Sequence, residues 1–363
     1  MKISIITLHS VCNYGTQLQA LATQEKLKEY FDEIEFINYK RFDTYGKGLI
    51  KSYSKNSLLR LVAFLPTYYK WKKVFGNFQK KYLNINPREY LNQNDLNNYI
   101  DDADIYMTGS DQVWNTGWNG GVIPAFYLNF INDNKPRYAY ASSFGKNKLT
   151  DDEVKESKKY IDKFRKISVR EASGVDILKK QYKYENVINI IDPTLVITPE
   201  VWRKYEKPCK IKDDYILIYS LNKNNKLDKY AKDLAKKTGL KLYRFCTRYD
   251  QILKTGKGIV IPEILDFVTL VDNAKYVITD SFHATAFSIN MGTEPICIYP
   301  SNYSGRISEF LKLVDCQDRH LKSYDDFNII NRHINFEKVQ RILEKERMKV
   351  DDYLEEIKKE NEK

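Results

Sequence analysis

Short apolar runs followed by stretches of helical spacing recur through both halves of the chain, and this alternation constrains the fold more than any other feature. Residues 2–8 (KISIITL) read as a buried strand. Residues 16–31 place Leu18, Leu21, Ala22 and Leu27 at helical spacing, and residues 33–39 (EIEFINY) return to a strand. A strand, helix, strand opening of this kind predicts a parallel sheet with right-handed crossovers. Strands are expected at 104–108, 137–143, 167–170 and 187–191, with helices at 151–166 and 171–180 between them. The rhythm resumes with strands at 215–221, 240–245, 275–279 and 295–299. Helices are expected at 226–238, 263–273, 283–291 and 304–314, and a long charged helix at 336–363.

A chain of 363 residues exceeds one ordinary core, so two domains are expected. The polar stretch around Pro199 and Pro208 marks the boundary. The reading is an α/β chain of two domains, each built on a parallel sheet: 1–205, then 206–335, with the last helix, 336–363, crossing back. No run approaches the roughly 18 apolar residues of a membrane span, and the N-terminus reads as a first strand rather than a signal peptide. A cytoplasmic protein is therefore expected. The five cysteines are odd in number and lack C-x-x-C spacing, which fits free thiols rather than disulfides or a zinc site. No metal is expected.

The net charge of +11 calls for an anionic partner, and the segment 44–88 concentrates the charge. It holds ten Lys or Arg and no Asp or Glu, interleaved with Leu58, Leu59, Val62, Phe64, Tyr68, Tyr69, Trp71, Phe75 and Phe78. Read plainly, it is an insertion packed on the first domain with a solvated basic rim. The other reading is an amphipathic element in peripheral contact with an anionic membrane, at its inner face. Nucleic acid is not expected, because no groove-binding or strand-binding fold accompanies the patch.

Five polar segments could carry chemistry. The loop 9–16 (HSVCNYGT) ends in Gly15 and precedes a helix. Asn13 and Gly15 could meet a ligand there, or serve only as a helix start. It is not a G-x-G-x-x-G fingerprint, so a dinucleotide is not expected. In 108–115 (TGSDQVWN), Gly109, Ser110, Asp111 and Trp114 combine hydroxyl-binding groups with an indole that could stack on a sugar ring, or form an ordinary turn. Arg170 closes a strand and could grip a phosphate or carboxylate, or pair locally with Glu171. In 279–286 (TDSFHATA), His283 at a helix start, with Ser281 and Thr285 beside it, could serve as a base near pH 7. Arg306, in SGRI, stands at another helix start. A nucleophilic role for Cys12 is disfavoured, since no base is assigned to it.

Taken in order, NYGTQLQALATQ, TGSDQVWN, RYAYASSFG, ISVREASGVDIL, DPTLVITPEVW, NAKYVITDSFHATAFSIN and SGRISEFL resemble the polysaccharide pyruvyl transferase family, over roughly residues 1–315. The resemblance implies a fold like the two-Rossmann-domain (GT-B-like) glycosyltransferases, with the active site in the cleft. It implies phosphoenolpyruvate as donor substrate, no bound cofactor, and a pyruvate ketal on two hydroxyls of a cell-surface polysaccharide sugar or its lipid-linked precursor. Arg170 and Arg306 would hold the donor with Ser281 and Thr285, and His283, with Arg170, would carry the chemistry. Asn13, Gly15, Gly109, Ser110, Asp111 and Trp114 would hold the acceptor. Some members have an arginine two places before the histidine, where this chain has Ser281. Others have an aspartate after the first-loop glycine, where it has Thr16. A nucleotide-sugar-dependent glycosyltransferase and a non-catalytic polymer- or membrane-binding protein are the alternatives.

Overall fold

The computed structural model describes residues 1–55, 57–300 and 305–362. They form two compact units, one of residues 1–52, 79–196 and 345–362, the other of 53–78 and 197–344. The boundary falls at Val196/Ile197, a few residues before the polar stretch that suggested 205/206.

The first unit is built on a six-stranded sheet of β1 (Lys2–Ile6), β2 (Glu33–Phe36), β3 (Ile105–Thr108), β4 (Arg137–Ser142), β5 (Lys166–Val169) and β6 (Val187–Asn189), in the order β2-β1-β3-β4-β5-β6. Every pairing is parallel. Strands β3 and β4 are buried along their whole length, as expected when helices cover both faces of a sheet. The first helix, Tyr14–Leu27, is buried nearly all round, and three of its buried glutamines donate inward. Gln17 Nε2 donates to the His9 carbonyl at 2.6 Å, Gln19 Nε2 to Thr7 Oγ1 at 3.2 Å and Gln24 Nε2 to the Tyr82 carbonyl at 2.9 Å. Such pairing offsets the cost of burying these N–H groups. The C-terminal helix, Phe336–Asn361, begins in the second unit and enters the first. There Tyr353 Oη donates to the Ala139 carbonyl on β4 at 2.7 Å, and Arg347 Nε to the Leu195 carbonyl at 3.0 Å.

The second unit carries a five-stranded sheet of β7 (Tyr215–Tyr219), β8 (Lys241–Cys246), β9 (Lys257–Val260), β10 (Tyr276–Thr279) and β11 (Glu294–Cys297), in the order β11-β10-β7-β8-β9, again all parallel. Strand β9 has no counterpart in the sequence reading. It is a half-exposed edge strand containing Gly258, so it lacks the apolar run that betrays a central strand. The helix expected from Ser304 runs Gly305–Leu313, and Ser304 itself lies outside the described residues.

The basic segment 44–88 does not pack as one insertion on the first unit. Residues 53–78 belong to the second. The helix Leu58–Tyr82 buries Phe64, Thr67, Trp71, Val74, Phe75 and Phe78, a stripe at helical spacing. Tyr53 stacks on Phe64 with ring centroids 4.4 Å apart, and Trp71 meets both edge-on. Two hydrogen bonds then fasten this helix to the loop after β8: Trp71 Nε1 to the Thr247 carbonyl at 2.7 Å, and the Tyr249 amide to Thr67 Oγ1 at 3.1 Å.

Candidate functional site

In an open parallel sheet, ligands bind beyond the carboxyl ends of the strands where the strand order reverses. In the first unit that point lies between β1 and β3. The loops 9–16 and 109–115 are the ones that leave those strand ends, so two of the polar segments meet. Thr16 Oγ1 donates to Asp111 Oδ2 at 2.7 Å, and Thr7 Oγ1 to the Ser110 carbonyl at 2.8 Å. A Cβ on Gly109 would come within 3.1 Å of the Thr7 Cβ and 3.2 Å of the Ile5 Cγ2, so glycine eases the close approach of β1 and β3 here.

Arg170 joins the same edge from the end of β5. Its guanidinium is fully enclosed and donates to three carboxylates: Asp192 at 2.7 Å, Glu171 at 3.1 Å and Asp111 at 3.2 Å. Burial alone would lower its pKa, but Glu171, Asp192 and Asp111 together raise it, so it stays charged. The expectation that Arg170 grips a substrate anion is corrected by this geometry. Its fork already holds three protein carboxylates. Asp111 is thereby clamped between Arg170 and Thr16 with φ at +76°, an uncommon backbone state for a non-glycine residue. Ala141, at φ +51°, lies where the register of β4 against β5 shifts, so the backbone irregularities gather at this edge.

Other expected acceptor residues are internal. Trp114 is 1 % exposed, stacks on Tyr127 at 5.5 Å, touches Phe144 and Phe164, and donates Nε1–H to the Phe126 carbonyl. It is a core residue and offers no plate for a sugar. Ser110 is fully buried as well. Asn13 Oδ1 accepts from the Thr16 amide and caps the first helix, with Gly15 buried in its first turn. Cys12 is half-buried and desolvation pushes its thiol up to about 12, which argues against a thiolate nucleophile.

In the second unit the order reverses between β7 and β10. Asp280, just past β10, accepts from Ser220 Oγ, the Leu221 and Asn222 amides and Asn222 Nδ2, at 2.8–3.1 Å. This carboxylate pins the loop after β7 to the loop after β10. Ser281 Oγ then accepts from the Ala284 amide and caps the helix Phe282–Met291. Thr285 turns inward: it is fully buried and donates to the Ser281 carbonyl at 3.0 Å, so it is not a donor contact. His283, 8 % exposed, occupies the first turn of this helix, its ring 5.4 Å from and edge-on to Phe282. The Arg306 guanidinium lies over the same Phe282 ring at 5.9 Å. His283 and Arg306, 23 positions apart in sequence, are thus brought to one aromatic ring at the switch point of their sheet.

Asp192 and Asp280 are the residues that sequence reasoning left out of the site. Each had a signal: Asp192 follows a strand and precedes a proline, and Asp280 follows a buried strand directly. A carboxylate at such a place has free loop amides to accept from.

A family model described as polysaccharide pyruvyl transferase matches residues 13–302. No curated protein matches the chain. Among solved structures, the UDP-GlcNAc 2-epimerase of Methanocaldococcus jannaschii in complex with UDP-GlcNAc and UDP is similar at TM-score 0.53 and 13 % identity, over 95 % of this chain and 99 % of that one. Os79 from O. sativa, in complex with U2F and trichothecene, is similar at TM-score 0.54 and 7 % identity, over 99 % and 100 %. S. aureus MnaA with UDP is similar at 0.50 and 12 %, over 94 % and 87 %. At these identities the likeness shows the fold, a pair of Rossmann-like units of the GT-B-like kind.

Proposed function

The chain belongs to the polysaccharide pyruvyl transferase family, an enzyme class, and from that premise we propose that it transfers pyruvate from phosphoenolpyruvate to two hydroxyls of a cell-surface polysaccharide sugar or its lipid-linked precursor. The observation that carries the site assignment is the placement of His283 and Arg306 about Phe282, beyond the carboxyl end of β10. Phosphoenolpyruvate brings a phosphate and a carboxylate. The first turn of the helix Phe282–Met291 offers backbone N–H groups and the positive end of a dipole, and Arg306 adds a full charge.

In the reaction so read, one sugar hydroxyl adds to C2 of the donor, its proton leaves, and C3 gains a proton to become a methyl group. The second hydroxyl then adds to C2 as inorganic phosphate departs with the remaining proton, closing the ketal. His283 is the residue we assign to proton transfer. In the first unit we assign Asp111, held rigid by Arg170 and Thr16, to the acceptor hydroxyls. No cofactor enters this scheme.

The test is phosphate release from phosphoenolpyruvate with a panel of lipid-linked and p-nitrophenyl glycosides. Acceptor-dependent release should fall by about a hundredfold or more in His283→Ala. Undiminished release in that variant would remove His283 from the chemistry. No release with any acceptor, with thermal stabilisation by a nucleoside diphosphate, would favour a nucleotide-sugar glycosyltransferase.

A further inference from the structure

The helix Leu58–Tyr82 is packed on one face only. Opposite its buried stripe, Leu58, Leu59, Val62 and Tyr69 are 74 %, 85 %, 61 % and 65 % exposed. At about 3.6 residues per turn, Leu58, Val62, Tyr69 and Lys73 fall within one narrow arc, with Lys72 at its edge. Both lysines are exposed. Four large apolar side chains on one side of a helix are costly to leave in water.

We propose that this helix face docks the second unit on an anionic lipid surface, lying in the plane of the interface. Charge complementarity selects the occupant. Residues 44–88 hold ten Lys or Arg and no acid, so the lysines around the apolar face have no acidic partner within their own segment. Leu58, Leu59 and Val62 neither hydrogen bond nor stack on bases, so the face does not suit a nucleic acid. Aliphatic side chains flanked by lysines do suit acyl chains beneath anionic headgroups, the lysine stems reaching up to the phosphates. No helix among the described residues is long and apolar enough to cross a membrane, so the contact would be interfacial. Because Trp71 and Thr67 tie the helix to the loop after β8, binding would bring the whole second unit, with His283 and Arg306, to the lipid surface.

The test is flotation of the full chain with vesicles of phosphatidylcholine alone and of phosphatidylcholine mixed with phosphatidylglycerol. The chain should float with the anionic vesicles, less so at high salt, and not with the neutral ones. Replacing Lys72 and Lys73 by Gln together should weaken this about tenfold or more. Combining Leu58→Asp, Leu59→Asp and Val62→Asp should abolish it with little change in Tm, since these side chains are mostly exposed. Failure to float, equal flotation with neutral vesicles, or unchanged flotation of both variants would overturn the proposal. So would displacement by a single-stranded oligonucleotide that binds the aspartate variant as well as the parent.

Discussion

His9 and Arg170 are both buried at the carboxyl edge of the first sheet, and they meet burial in opposite ways. Arg170 keeps its charge because three carboxylates surround it. His9, 1 % exposed, is instead held neutral: burial is the main cause, with Lys40 adding to it, and its pKa falls from 6.5 to about 4. Between those values the unfolded chain binds a proton that the folded chain refuses, so stability falls as pH drops from 6.5 toward 4. The loss attributable to this group is about 2 kcal/mol at pH 5. The drop in Tm from pH 7 to pH 5 should therefore be smaller in His9→Gln than in the parent; an identical drop would show that His9 titrates normally. At this scale the positions of the polar loops were legible, because a polar run after an apolar strand marks a carboxyl end. The roles were not. Composition cannot say that Trp114 turns into the core between Tyr127 and Phe144, nor that Arg170 reaches an aspartate 59 residues away.

Among the elements, the helix Leu58–Tyr82 departs furthest from what its sequence suggested. Its alternation of basic and aromatic residues announced two faces, which the structure has. Its membership in the second unit rests on one indole and one threonine meeting a loop about 180 residues later, a pairing no local pattern encodes. Trp71→Phe keeps the ring contacts with Phe64 and Phe75 but leaves the Thr247 carbonyl without that donor. It should cost about 1–3 kcal/mol in denaturant unfolding, and the Tyr249 amide should exchange faster with solvent. A wild-type exchange rate at Tyr249 would mean the loop is held by other contacts. Strand β9 shows the reverse problem: a half-exposed edge strand with a glycine leaves almost no pattern to read.

For the molecule as a whole, two α/β units were readable because the strand–helix rhythm stops and restarts. The last helix was readable as a long charged helix that crosses back, but not which of its side chains it buries. In the structure Val350, Tyr353, Leu354 and Ile357 are buried, and Asp351 pairs with Lys26 at 2.6 Å and accepts from Tyr30 Oη at 2.7 Å. Burying four such side chains is worth roughly 6–12 kcal/mol, comparable to the whole stability of a domain. A chain ending at Glu344 should lose hydrogen-exchange protection in β4 and β5 while β7 and β10 keep theirs. Equal loss in both sheets would show that the units unfold as one.

The first unit is assembled from three stretches of chain, and the stretch that completes it follows the entire second unit. On the ribosome this inverts the usual order, in which what is made first folds first. The first sheet must wait, with the apolar strip over β4 uncovered, while the second unit is synthesised and folds. Synthesis of the second unit thus acts as a clock on the first. Slowed elongation through residues 197–344 would lengthen the time during which that strip can meet another nascent chain.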